Sequence, residues 1–218
     1  MEHRVDKKRA EYLAIVSTYF SNDQIVEDGS MTADAYLDLL HPELIDTWKR
    51  KKAAFERWNE MLSQFGKLDW AYSSRNMHFD TNEGFKVVVH IKLPDDLNRL
   101  VGISIHLSFL GNQIGFYYSD TKTELNNDPI GVPIKYSSLI RSHSCQVNSE
   151  VSYQPINDQH LIYKPLLADM VKRFFPEFVE FDNQYADFKV KDIQTELGYF
   201  KEIDLFQVFF GTNIHGVI

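Results

Sequence analysis

Between residues 101 and 109 the chain alternates strictly. Val101, Ile103, Ile105, Leu107 and Phe109 are interleaved with Gly102, Ser104, His106 and Ser108. A period of two marks a strand with one buried face. Gly111-Asn112 follows, and a glycine opening a two-residue loop suits a type II′ turn. Residues 113–119 then read as the return strand. This register pairs Leu110 with Gln113, Phe109 with Ile114, Leu107 with Phe116 and Ile105 with Tyr118. It sets His106 against Tyr117 and Ser108 against Gly115 on the opposite face, so turn and pattern agree.

Two further strands precede the hairpin. Residues 85–93, FKVVVHIKL, place Val87, Val89, Ile91 and Leu93 on one face and Lys86, Val88, His90 and Lys92 on the other. Residues 76–80 place Met77 and Phe79 opposite Asn76, His78 and Asp80. The prediction is an antiparallel meander with one face on helices and the other more polar.

Helical periodicity frames the meander. Over residues 5–20, Tyr12, Leu13, Ile15, Val16, Tyr19 and Phe20 share a face, and Ser21-Asn22-Asp23 ends the run. Thr32 suits the N-cap of a short helix carrying Tyr36, Leu37 and Leu40. Pro42 fits the first turn of a longer helix with the stripe Trp48, Phe55, Trp58, Leu62 and Phe65. Gly66 is the expected left-handed residue past its end, with Leu68 as the closing apolar contact. The basic run KRKK at 49–52 reads as a solvated helix face.

Beyond the hairpin, the polar stretch 119–131 reads as a surface loop. It is also the place, near 120–131, where the chain could subdivide. Residues 132–156 give weak strand signals anchored by Val147, Val151 and Tyr153. Another helix is expected to start near Pro165, line one face with Leu166, Leu167, Met170, Val171, Phe174 and Phe175, and stop at Pro176. Residues 188–193 suit a short strand and 202–210 a helix. The expected class is α+β over a single domain, 1–218: N-terminal helices packed on an antiparallel β-meander, with a C-terminal helix-containing extension. Three helices leading into a curved antiparallel sheet resemble the NTF2-like cone. The resemblance is one of element order, leaves residues beyond 120 as an addition, and implies no activity.

Composition narrows the functional classes. With 218 residues, 44% of them hydrophobic, the chain can fill one sizeable core. A net charge of −8 argues against nucleic-acid binding and is compatible with a basic partner. The lone Cys145 excludes an internal disulfide framework and suits a reducing compartment. The charged start MEHRVDKKRAEY lacks an apolar signal core, and no stretch has the length of a membrane span. A cytoplasmic protein with no membrane contact is expected.

Candidate chemistry gathers on the polar sheet face. His78, His90 and His106 fall there with Asp80, Lys92 and Tyr117. If Leu93 pairs with Val101, His90 opposes Ser104 and His106 is its diagonal neighbour. Such histidines can bind a metal or shuttle protons, but Lys86 and Lys92 on the same face repel a cation. His106-Leu107-Ser108 has the H-x-S form of two-histidine phosphoesterases. The required second copy is missing, because His78-Phe79-Asp80 and His90-Ile91-Lys92 lack the hydroxyl. His143 and Cys145 lie close in RSHSC, a spacing that by itself makes no nucleophile–base pair. There is no glycine-rich phosphate loop, H-E-x-x-H, C-x-x-C or G-x-S-x-G.

No catalytic residue is assigned, and no metal or cofactor is expected. The favoured reading is a protein-binding module of the kind immunity proteins provide against a basic toxin or nuclease. Its partner-binding residues are Glu177, Phe178, Glu180, Phe181 and Asp182, acids for steering and phenylalanines for apolar anchoring. The alternative is a small-ligand-binding protein or hydrolase using the face of His78, His90 and His106. The sequence leaves the oligomeric state open.

Overall fold

The computed structural model describes residues 2–20, 42–76, 84–125, 145–195 and 198–211. Strands β1 (Ala71–Asn76), β2 (Gly84–Ile91), β3 (Arg99–Ser108), β4 (Gln113–Leu125) and β5 (Cys145–Ser152) form an antiparallel meander in chain order. A sixth strand, β6 (Val179–Glu180), joins β4 in parallel at Gln113 and Ile114. The alternation of β2 holds: Phe85, Val87, Val89 and Ile91 are buried, with partly exposed residues between them.

The register differs from expectation by two residues. Leu107 pairs with Ile114, Ile105 with Phe116 and Ile103 with Tyr118. The loop is therefore four residues, 109–112. Gly111 (φ 62°) and Asn112 (φ 51°) both adopt left-handed backbone, whereas a type II′ turn needs positive φ at its first position alone. A slip of two leaves every side chain on its face, so the apolar face was read correctly from the wrong partners. Likewise Ile91, not Leu93, opposes Val101.

The polar stretch expected as a loop is strand as far as Leu125. Ser119 pairs with Val151 and Leu125 with Cys145. The Thr121 and Ser149 hydroxyls, 2.9 Å apart, bridge this hairpin. Backbone pairing with β5 makes it a strand, and its polar side chains say only that it is peripheral. Residues 120–125 thus lie inside the sheet.

Helices α2 (Pro42–Phe65) and α3 (Asp158–Phe174) cover one face. Ala54, Trp58, Met61 and Phe65, at helical spacing, fill the core. Phe55, placed in the stripe by sequence, is 43% exposed. Trp58 stacks on Phe85 with ring centroids 4.9 Å apart. The Gly66 amide donates to the Leu62 carbonyl at 3.2 Å, yet Gly66 is not among the positive-φ residues, so it is no left-handed cap.

Helix α3 begins seven residues before Pro165. The Asn157 side-chain oxygen accepts hydrogen bonds from the Gln159 and His160 amides, which satisfies two orphan donors of the first turn. Pro165 sits inside the helix, and having no N–H it leaves one carbonyl of the preceding turn unpaired. Leu167, Val171 and Phe175 face the core. Tyr163 stacks on Trp70 with centroids 4.2 Å apart.

The other face is covered too, contrary to the expected solvated surface. Helix α1 (Glu2–Tyr19), hairpin β7 (Lys189–Thr195) with β8 (Gly198–Asp204), and helix α4 (Leu205–Phe210) enclose a second core. Tyr12, Val16, Phe20, Phe181, Tyr185, Phe206, Phe209 and Phe210 fill it. Strand β3 is consequently buried on both sides, including Ser104, His106 and Ser108. Gly115 makes the contact possible, since a Cβ there would lie 2.7 Å from the Phe210 ring. Residues 202–204 belong to β8, and the expected helix begins at Leu205. The class is α+β. The predicted helix around Tyr36, residues 77–80 with His78 and Asp80, and His143 lie outside the described residues.

Candidate functional site: a cleft between α3 and β6

The segment chosen from sequence as partner-binding crosses the sheet edge, and its side chains divide. After Pro176 the chain makes the two-residue strand β6. Phe178 enters the first core, with ring centroids 5.2 Å from Phe109 and 5.5 Å from Phe175. Phe181 enters the second, stacked on Tyr12 at 4.6 Å. Both phenylalanines are buried in the cores, not standing out at the surface, although Phe181 also lines the cleft beside α3. Aromatic pairs at such separations, edge-to-face at Phe178 and stacked at Phe181, add about 0.5–1.5 kcal/mol each beyond area burial, so the segment is held as core.

The acids beside them, Glu177, Glu180 and Asp182, stay at least partly exposed, each engaged. Glu177 meets Arg57 at 2.6 Å. Glu180 meets Lys164 of α3 at 2.5 Å. Asp182 caps the short 3₁₀ turn Asn183–Tyr185: its Oδ1 accepts from the Gln184 amide at 3.2 Å and its Oδ2 from Gln184 Nε2 at 2.6 Å. The Asp182 amide donates to the Tyr12 hydroxyl oxygen at 2.8 Å. Burial pushes that hydroxyl's pKa up to about 12, so it stays protonated at neutral pH.

Between α3 and this segment lies a cleft of about 620 Å³, whose walls include Tyr118, Tyr153, Lys164, Glu180, Asp182 and Asn183. The Lys164 ammonium lies 5.2 Å from the Phe116 ring centre and is neutralised by Glu180. The Asp182 carboxylate then leaves the lining net negative. Asn183 Nδ2 donates to the carbonyls of Phe116 (2.9 Å) and Tyr153 (2.6 Å), fixing the floor. Burial and the nearby Glu180 carboxylate raise the Tyr118 pKa, so it too keeps its proton. His160 closes the inner end. Its Nδ1 accepts from the Ile156 amide at 3.2 Å. Its Nε2 makes no hydrogen bond of full geometry but lies near the Ser119 and Gly102 carbonyls. Burial lowers its pKa, and it sits in the wall as a neutral ring. Carboxylates, an amide and phenol edges can receive a cationic or donor group; the lining pairs no nucleophile with a base.

The histidine face does not assemble as expected. His90 opposes Gly102, and His106 opposes Lys86. They are four residues apart along the sheet, about 13 Å, and are not diagonal neighbours. His106 packs among Tyr117, Phe206 and Phe210, with ring centroids 5.1–5.9 Å away. Burial, then the Lys86 charge, holds its pKa well below the usual histidine range. The Ser108 hydroxyl accepts from the Leu110 amide at 3.2 Å, so Ser108 braces the hairpin loop, and both residues of the H-x-S pair are buried. Among the described residues no three His, Cys, Asp or Glu side chains gather as a metal site would require.

A second cleft, about 630 Å³, runs beside β5 and includes Arg99, Asp120, Asn148 and Glu150. Arg99 Nε meets Asp120 Oδ1 at 2.7 Å, and its Nη2 meets Oδ2. Asn157 Nδ2 donates to the same carboxylate at 2.7 Å. Arg99 foremost, with Asn157, holds the Asp120 pKa below the usual value. This group joins β3, β4 and the N-cap of α3, and is a strut. Sequence reasoning missed it because Asp120 was read as loop. It also missed Lys164 and Tyr118, although Asn157-Asp158 was a legible helix start.

The fold and its clefts define an α+β protein in which no described helix is long and apolar enough to cross a membrane. No family model, no curated protein and no solved structure matches the chain.

Proposed function

We propose that this chain is a protein-binding module that receives a basic partner at the cleft between α3 and β6. The observation that carries this reading is the placement of Glu180 and Asp182 on one cleft wall beside Tyr118 and Tyr153. The net charge of −8 supports electrostatic steering of a cationic partner. In this reading Leu161 and Pro165, on the opposite wall, provide the apolar contact once expected of Phe178 and Phe181. Glu177, at the end of the same segment, contributes to steering. An immunity-type inhibitor of a basic toxin or nuclease, acting in the cytoplasm, is the form such a module would take. The alternative, a small-ligand protein or hydrolase on the histidine face, would have to work without His106, which is buried.

The test starts with capture of partners from the native host, using the wild-type chain and Glu180→Lys as parallel baits. Association kinetics of the captured protein are then measured at low and high salt. The charge reversal is expected to slow association about tenfold at low salt, with a smaller effect at high salt. Identical rates for both chains, with unchanged melting curves, would remove the cleft from the interface.

A further inference from the structure

The roll of α3 that sends Leu167, Val171 and Phe175 into the core turns its opposite side to solvent. That side is not polar. Leu161 is 60% exposed, Ile162 55% and Leu166 50%, and Pro165 is exposed between them. Scattered exposed apolar residues are ordinary, but a contiguous cluster on two successive helical turns marks an interaction surface. Charge frames the cluster. Asp158 occupies the first turn of α3, and Lys172 and Arg173 the last. All three are exposed and, among the described residues, none is in an ion pair within the chain. The helix dipole favours these charges at these ends. It does not call for leucine and isoleucine between them.

We propose that this face binds the same face of a second copy, with the two α3 helices antiparallel about a two-fold axis near Pro165 and Leu166. A two-fold contact requires a surface complementary to itself, and this one is. Asp158 and Arg173 lie at nearly equal distances on either side of that point, about 11 Å along the helix. Antiparallel pairing therefore brings each Asp158 level with the partner's Arg173, with the partner's Lys172 one residue away. Pro165 and Leu166 of the two copies meet at the centre, and each Leu161 and Ile162 lies level with the partner's Met170 and Asp169. Asp169, also exposed, has Lys172 and Arg173 as its i+3 and i+4 neighbours on its own helix. A parallel pairing would set like charges against each other at both ends. The face adjoins the cleft, with Leu161 and Pro165 common to both, but the inference goes beyond the cleft reading because it turns on Ile162 and Leu166, which are not among the cleft walls. A single helix pair belongs to the small class of interfaces, so a dissociation constant of about 10–100 μM is expected.

Sedimentation equilibrium of the full chain, from about 5 to about 500 μM, tests this. The wild type should shift from monomer to dimer across the range. Ile162→Asp with Leu166→Asp should leave it monomeric, with thermal melts confirming the fold. Asp158→Arg alone, or Lys172→Asp with Arg173→Asp, should each weaken the dimer about tenfold or more. All three charge changes together should restore it to within a few-fold. Glu180→Lys, on the cleft, should leave the dimer unchanged, so loss of the cleft partner and loss of self-association are read separately. A wild type that stays monomeric throughout overturns the proposal. So does a dimer indifferent to Ile162 and Leu166, or a charge exchange that fails to restore it.

Discussion

His106 should make the fold acid-sensitive well above the carboxylate range. In the unfolded chain a histidine titrates at about 6.5. In the folded chain burial pushes the His106 pKa well down, and Lys86 adds to the effect. Below pH about 6.5 the unfolded state therefore binds a proton that the native state refuses, and stability falls as pH falls. At pH about 5, RT ln(1 + 10^1.5) puts the loss near 2 kcal/mol for a histidine still neutral in the fold. His160 acts in the same direction, opposed in part by the Ser119 and Gly102 carbonyls and the Asp120 charge. The perturbation is His106→Leu, which places an apolar side chain among Tyr117, Phe206 and Phe210. Urea unfolding of both proteins at pH about 7.5 and about 5 gives the four free energies needed. The wild type should lose about 2 kcal/mol more than the variant between those conditions. Equal losses would refute the assignment of His106 as a buried neutral ring.

Gly115→Ala should cost about 1–3 kcal/mol, because the new methyl group meets the Phe210 ring at 2.7 Å and must displace α4; an unchanged melting temperature would deny that close approach. Leu107→Asp and Ser108→Asp should both destabilise by several kcal/mol, roughly the cost of burying an unpaired carboxylate, since both positions are buried. Tolerance of Ser108→Asp, the outcome expected if the second sheet face were solvated, would show in a thermal melt and would contradict the covering layer.

The facing of β2, β3 and β4 was legible because a slip of two residues preserves parity. Val87, Val89, Ile103 and Ile105 are buried whichever register holds. What covers the second face was not legible. Ser104, His106 and Ser108 look like solvated residues, and they are buried by aromatics supplied about a hundred residues later in the chain. Local pattern carries no information about such a partner. Pro165 misled for a related reason: proline is favoured at a helix start, yet here a capped turn precedes it. In the 177–182 segment the acids were placed correctly at the surface. The phenylalanines between them were not, because a two-residue strand is too short to show a period.

The two sides of the sheet must be completed on different terms. The hairpin of β3 and β4 joins residues linked by a four-residue loop, and closing such a loop costs little chain entropy. The contact of the Asp182 amide with Tyr12 of α1 spans 170 residues. Contacts so remote slow folding, because their loop must close before they stabilise anything. The meander can therefore be assembled before α1 and α4 arrive. A meander formed before α1 and α4 dock would leave the Ser104, His106 and Ser108 face of β3 open to solvent, the face the sequence pattern advertises.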